Sequence, residues 1–510
     1  MAENEGENHD LLQTWNQYDS ELVIGLVGAV GTDLKRVADL LREQIRQVGY
    51  EVEIVHISKD VIPRICDVNV DENDEFQRIW DLMTAGNEAR KAAGSDAALA
   101  IGAAAIISAE RSKNADGFPI PQPKTAYIIS SLKRPEEVER LRRIYRQGFV
   151  LIGIAGDEDW RFDQLTQRQG ISKDNALKLI ERDANETKEN HGQRLDKTFP
   201  LSDFFINPAG EGGRLQCELR RIVQLLFGHP EITPSFDEHA MFMAFASALR
   251  SGDLSRQVGA VIAKNEQVIA MGANDCPKFG GGLYWPMPDE TGCLGNVEDG
   301  RDFTRGFDSN RREQEEIISR IVSAGVKSGL NAETLRSVLE NSSISDLTEF
   351  GRVVHAEMDA LLSCARSNIS VQDAILYTTT FPCHNCAKHI VAAGIARVVY
   401  IEPYEKSKAP KFHHDSIEVG LERKLKDRVL FQPFFGVGPR RFFDLFSMHL
   451  SSGYPLKRKA EDNCQRFEWD SKKARLRLDM LPRTYIDHEL DAVDMFGKFL
   501  EKARGGNVIE

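Results

Sequence analysis

Long apolar runs are missing from this 510-residue chain. The longest, residues 97–109, is alanine-rich and falls well short of the ~20 residues that a bilayer-spanning helix needs. No membrane segment is expected. The acidic N-terminus carries no apolar stretch of the kind that makes a secretion signal, so a cytoplasmic protein is expected. Positive charge is also in deficit: 65 Lys and Arg against 78 Asp and Glu leave a net charge of −13. A broad polynucleotide-binding surface needs a cationic excess and is disfavoured. A single nucleotide needs only a few cations, so the overall charge does not exclude one. The eight cysteines are too scattered for a disulfide framework, and only Cys383 and Cys386 lie close together. What is present, 41% apolar and 28% charged residues, is the balance of a globular protein, and the length asks for two domains.

Residues 1–20 read as a disordered acidic segment. Residues 22–28 form an apolar run ending in glycine, and Leu34, Val37, Ala38, Leu41 and Ile45 follow at helical spacing. An alternating stretch, 52–57, completes a strand–turn–helix–strand unit, the opening of an α/β domain. Further strands are expected at 125–131, 149–155 and 203–207, with helices at 135–147 and 212–226, giving a first domain over 21–229. Pro230 and Pro234 mark a linker. The second domain, 230–450, begins with a helix over 237–250 whose apolar face is expected to be Phe242, Phe245, Ala246 and Leu249. Strands at 258–262 and 267–271 follow as a hairpin. Residues about 277–345 are glycine-rich and then charged, and read as an insertion. Residues 451–510 read as a charged C-terminal extension, with basic clusters at 457–459 and 472–477.

The chemistry concentrates in His355-Ala356-Glu357 and, further on, Pro382-Cys383-His384-Asn385-Cys386. Two thiolates and an imidazole are donors that a tetrahedral Zn2+ takes, and three ligands leave a fourth position open for water. Such a site is catalytic, not closed and structural. Glu357, two residues past the His at a helix start, can move protons between water and a substrate. The spacing is the signature of zinc nucleobase deaminases, in which the Glu is not a ligand. A structural zinc knot is the alternative, and it has no use for Glu357.

From residue 255 to 404 the sequence resembles the deoxycytidylate (dCMP) deaminase family. The match runs through Ser255-Arg256-Gln257-Val258-Gly259, Met271-Gly272-Ala273-Asn274, the two zinc motifs, and Ala393-Gly394-Ile395-Ala396-Arg397. The resemblance implies a cytidine-deaminase-like α/β/α domain with a five-stranded sheet, one catalytic zinc and release of ammonia from a cytosine ring. It also implies that Asn274 contacts the nucleotide sugar; a turn asparagine after a strand is the other reading. The long stretch between Asn274 and His355 leaves dCMP and dCTP both open as the free deoxycytidine nucleotide substrate. The family further implies a homo-oligomer and a nucleotide effector.

Gly25, Gly28, Gly31 and Thr32 lie between strand and helix, where backbone N–H groups could cradle phosphate. The segment looks like a P-loop, and Arg182-Asp183 followed by 203–207 is similar to late elements of kinase folds. The first domain is therefore expected to be a P-loop kinase-like parallel sheet. The lysine expected before Thr32 is absent, and Lys35, about one helical turn on, is the candidate substitute. A phosphate site without kinase activity is expected. Fusion of such a domain to a dCMP-deaminase domain resembles the bacterial anti-phage dCTP/dCMP deaminases. That group depletes cytosine deoxynucleotides during infection, and some members are held inactive by a small noncoding RNA. A deaminase acting on RNA or single-stranded DNA, and a nucleotide- or RNA-sensing module with structural zinc, are the alternative functions.

Overall fold

The computed structural model describes residues 20–505 except 69–70, 72, 187–190, 210–212, 343, 345–346, 348, 405, 461–464 and 481. The segment expected to be disordered at 1–20 lies almost wholly outside the described residues. The chain divides into two compact units: Met1–Ser235 together with Phe435–Glu510, and Phe236–Phe434.

The first unit is an α/β domain on a parallel sheet. Its strands are β1 (Leu22–Gly28), β2 (Glu51–His56), β3 (Thr125–Ser130), β4 (Phe149–Ile154) and β5 (Phe204–Ile206), in the order β5-β4-β1-β3-β2. All four neighbouring pairs are parallel. β1, β3, β4 and β5 are buried at every residue, as parallel strands covered on both faces must be. Alternation distributes them between two cores. Val23, Val27, Tyr127 and Leu151 pack on one face, and Leu22, Ile24, Ile128 and Ile152 on the other, with helix α1 (Leu34–Arg46).

The alanine-rich run that is too short for a membrane is helix α2 (Ala98–Glu110), buried throughout from Ala98 to Ser108. Among the described residues no single helix is long and apolar enough to cross a membrane. α2 packs against the C-terminal helix Pro482–Gly505, whose Phe496 ring would lie 2.7 Å from a Cβ placed on Gly102. A buried charge cluster fixes this helix. Arg111 reaches Glu489 at 2.6 and 2.9 Å and Glu21 at 2.6 Å, and Tyr485 donates to Glu21.

The expected domain end near 450 and separate extension from 451 differ from this arrangement. The chain rejoins the first unit at 435, where the short strand Gly436–Val437 pairs antiparallel with β5. Edge pairing and the apolar face of the last helix draw the C-terminal segment into the first unit's own core.

The second unit is a mixed sheet. It comprises β6 (Gly259–Lys264), β7 (Gln267–Ala273), β8 (Ile375–Thr380), β9 (Arg397–Glu402), β10 (Ile417–Val419) and β11 (Val429–Pro433), in the order β10-β11-β9-β8-β6-β7. β6 and β7 form the antiparallel hairpin, and β8, β9, β11 and β10 run parallel. The sheet has six strands where five were implied; the three-residue β10 is the edge addition. Helix α3 (Phe236–Ala248) buries Ala240, Met241, Ala244 and Ala248, while Leu249 is 63% exposed. The expected aromatic face is corrected by Gly259, where a Cβ would lie 1.9 Å from the Ala244 carbonyl. Helix and strand approach so closely at Gly259 that no larger residue fits at that point. The inserted stretch leaves and returns through an antiparallel bridge of Asp275 with Val354 (3.2 and 3.0 Å) and carries helices Ser309–Lys327 and Ala332–Glu340.

Candidate active site

Two helices begin at the same place in the second unit. His355 is the N-cap residue of α4 (Ala356–Arg366), and Cys383 that of α5 (His384–Ala392). The strand β8 delivers Pro382 and Cys383 to the start of α5, and Gly272 lets α4 approach β7, since a Cβ there would lie 2.1 Å from the Ala356 carbonyl. The Cys383 sulfur caps its own helix by accepting from the Cys386 N–H at 3.4 Å. Nδ1 of His355 lies 3.4 Å from the Cys383 sulfur and 3.3 Å from that of Cys386. All three ligand atoms lie within 4.8 Å of one another.

These donors fit zinc in kind and in spacing. For a tetrahedral centre with sulfur at ~2.3 Å and nitrogen at ~2.0 Å, the nitrogen–sulfur edge is about 3.5 Å, and the two observed edges are close to it. Electrostatics prepare the site as well. The Cys386 thiol donates to Cys383 and, with His355, draws the Cys383 thiol down to about 4. His355 in turn is raised to about 9 by its hydrogen bond with Cys383. Metal binding takes both sulfurs as thiolates and would release their protons.

Glu357 occupies the first turn of α4 and is 4% exposed. Burial pushes its carboxyl above the usual carboxylate range, with the Cys386 thiol as a neighbour. Its carboxyl thus lies beside the ligand atoms, in contact with Cys386.

Asn274 is placed to brace a loop. Its Oδ1 accepts from Val258 N–H at 2.7 Å and its Nδ2 donates to the Arg256 carbonyl at 2.8 Å, so both ends of the side chain hold segment 256–258. Ser251 Oγ donates to the Asn274 carbonyl at 2.6 Å, and Asp359 on α4 accepts from Ala273 N–H at 3.3 Å. Neither Ser251 nor Asp359 was singled out from sequence: each acts on backbone supplied by a distant segment, and no local spacing marks that.

The glycines of the first unit divide differently from expectation. Gly25 lies inside β1, where a Cβ would come within 2.6 Å of Leu132 and 2.8 Å of Phe149, so its role is packing. Gly28 ends β1, and Gly31 has φ +84°, a conformation glycine adopts without strain. Thr32 Oγ1 donates to the Ala29 carbonyl at 2.5 Å. Lys35 is 84% exposed and pairs with Asp39 at 3.4 Å, because its place on α1 faces solvent. Two cations reach the loop: Lys133, which follows β3, donates to the Gly28 carbonyl at 2.8 Å, and Arg161 donates to the Val30 carbonyl at 3.4 Å. Of the basic clusters, 457–459 is exposed, but Arg477 is fully buried and donates to the carbonyls of Leu445 and Ser447.

Residues 234–402 match the cytidine and deoxycytidylate deaminase zinc-binding region. The deoxycytidylate deaminase of enterobacteria phage T4 is 33% identical over 168 residues, 32% of this chain and 77% of the phage protein. Among solved structures, the dCMP deaminase from cyanophage S-TIM5 in complex with dCMP and dUMP aligns over 40% of this chain and all of its own, at 20% identity and a TM-score of 0.23. Shikimate kinase from Acinetobacter baumannii aligns over 42% of this chain and 97% of its own, at 12% identity and a TM-score of 0.25. With the phage enzyme's likeness extending over most of its length, the chain belongs to the deoxycytidylate deaminase family.

Proposed function

We propose that this chain converts free dCMP, dCTP or both to the uracil nucleotide and ammonia, with His355, Cys383 and Cys386 holding zinc and Glu357 carrying the protons. The observation that supports this most strongly is the convergence of three zinc donors with one buried, non-ligating carboxylate at two helix starts. When bound, zinc supplies a water made acidic enough to serve as the nucleophile near neutral pH. Glu357 would take the water's first proton and pass it to ring N3, then take the second from the hydroxyl added at C4 and pass it to the departing amino group. A C4–O bond forms, the C4–N bond breaks, and ammonia carries the proton away. A carboxyl raised by burial suits a group that must both accept and return a proton at each turnover. Asn274 acts as a positioning residue, holding segment 256–258 through its two side-chain bonds.

The physiological role we favour is depletion of cytosine deoxynucleotides during phage infection, by a homo-oligomer restrained by a small RNA. The two-unit organisation supports this reading, as do the exposed cations at 457–459 for the RNA contact. Purified protein given dCMP, dCTP, cytidine and single-stranded DNA separately tests the chemistry. Uracil nucleotide formed from dCMP or dCTP is the expected result. Turnover of the DNA alone would overturn the free-nucleotide assignment.

A further inference from the structure

The inserted stretch of the second unit leaves next to Asn274 and returns next to His355, through the backbone pair of Asp275 with Val354 (3.2 and 3.0 Å). That pair ties the residue bracing segment 256–258 to the N-cap residue of α4. We propose that residues 300–302 of the inserted stretch clamp this pair, and that Arg301 and Asp302 are positioning residues for the deamination. The kinetic effect rests on the deaminase reading; the clamp itself does not.

One tripeptide reaches both strands of the pair. On the outgoing strand, Arg301 Nη2 lies 3.1 Å from Asp275 Oδ2. Asp275 Oδ1 accepts from the Cys276 N–H at 2.8 Å, and the Cys276 thiol donates to Asp302 Oδ1 at 3.7 Å. On the returning strand, Arg352 donates from Nη1 to the same Asp302 oxygen at 2.9 Å and from Nη2 to the Gly300 carbonyl at 3.1 Å. Asp302 thus joins residues 276 and 352 on the side of the bridge away from Asn274 and His355. Arg301 is itself fixed, donating to the Tyr284 carbonyl and, at 3.2 Å, to Asn296 Oδ1.

Burial argues that these contacts do more than close a loop. Asp275 is 1% exposed, and Arg301 and Asp302 are each 6% exposed. Taking charges out of water is costly, and a buried ion pair fixes geometry more readily than it adds stability. Arg250 is also near, but it donates to the Tyr284 carbonyl at 2.9 Å and its guanidinium lies 3.8 Å from the centre of the Trp285 ring. The cation in contact with Asp275 is Arg301. Geometry matters at this place because Glu357 lies two residues beyond His355 on α4, while Asn274 holds segment 256–258. Slack in the Asp275–Val354 pair would let the two move apart, and a misplacement of ~1 Å can cost on the order of 10²-fold in rate.

Arg301→Met in the full chain tests the clamp by two readouts. Hydrogen exchange at the Asp275 and Val354 amides should quicken by about tenfold or more, and turnover of dCMP or dCTP per bound zinc should fall by about tenfold or more. Arg301→Lys should restore most of both, since it keeps a cation beside Asp275. In an Asn274→Ala background Arg301→Met should cost little further turnover, whereas a general loss of structure would multiply with it. Glu298→Gln, exposed on the same insertion, should change neither readout. If Arg301→Met does not fold, Asp302→Ala, which releases the half-buried Arg352, carries the same two measurements. Unchanged exchange, or unchanged turnover per zinc beside faster exchange, would overturn the proposal. An unsubstituted chain that turns over neither nucleotide would instead refute the deaminase reading, and the exchange result would still decide the clamp.

Discussion

The two units build the loops at their helix starts in opposite ways. In the second unit, His355 and Cys383 are themselves the caps of their helices, so forming α4 and α5 sets two of the three donors at once, and Cys386 follows in the first turn of α5. In the first unit, the loop after β1 has the glycine turn but borrows its cation from the end of β3 and its carboxylate from a helix near residue 183. The deaminase site is thus specified by short-range spacing and the loop after β1 by long-range packing. A local motif fixes its chemistry as soon as its helices form. A loop assembled from distant segments takes its charged partners from elsewhere in the chain, as Lys133 and Asp183 show.

The sharpest way to separate the two regions is to remove the metal ligands. Cys386→Ser is expected to bind no zinc and to lose turnover by on the order of 10³-fold or more, while the thermal stability of the first unit is unchanged. Metal analysis beside calorimetry checks both halves. A smaller effect, on stability, is expected at Arg111. Arg111→Ala leaves Glu21 and Glu489 buried without their cation and should cost about 3–5 kcal/mol, measured by denaturant unfolding of the first unit. Cobalt substitution at the deaminase site should then give the unaltered ligand spectrum. Gly259→Ala should cost the second unit about 1–3 kcal/mol by overpacking, because its Cβ meets the Ala244 backbone. Lys35→Ala should change stability by less than about 0.5 kcal/mol; a larger loss would contradict the reading of Lys35 as a solvent-facing residue paired only with Asp39.

The same contrast explains what could be read from the sequence. His355, Glu357, Cys383 and Cys386 were legible because their spacing is local and their residue types match one metal. The strands β1 to β7 were legible as short apolar or alternating runs. Helix α2 was not, because a helix buried all round has no polar face to show its period. The inward face of α3 was misread since large aromatics usually mark a core, and here Ala244 and Ala248 face a strand brought close at Gly259. The return of the chain to the first unit at 435 rests on β5 pairing and on Arg111 meeting Glu489, contacts between residues too distant in sequence for any window to join.

Glu357 bears the central claim most directly. Glu357→Ala, purified and assayed for zinc content and for ammonia released from dCMP and dCTP, should retain the metal while turnover falls by about 10²–10⁴-fold. Turnover at the unsubstituted rate with zinc in place would contradict the assignment of proton transfer to this residue.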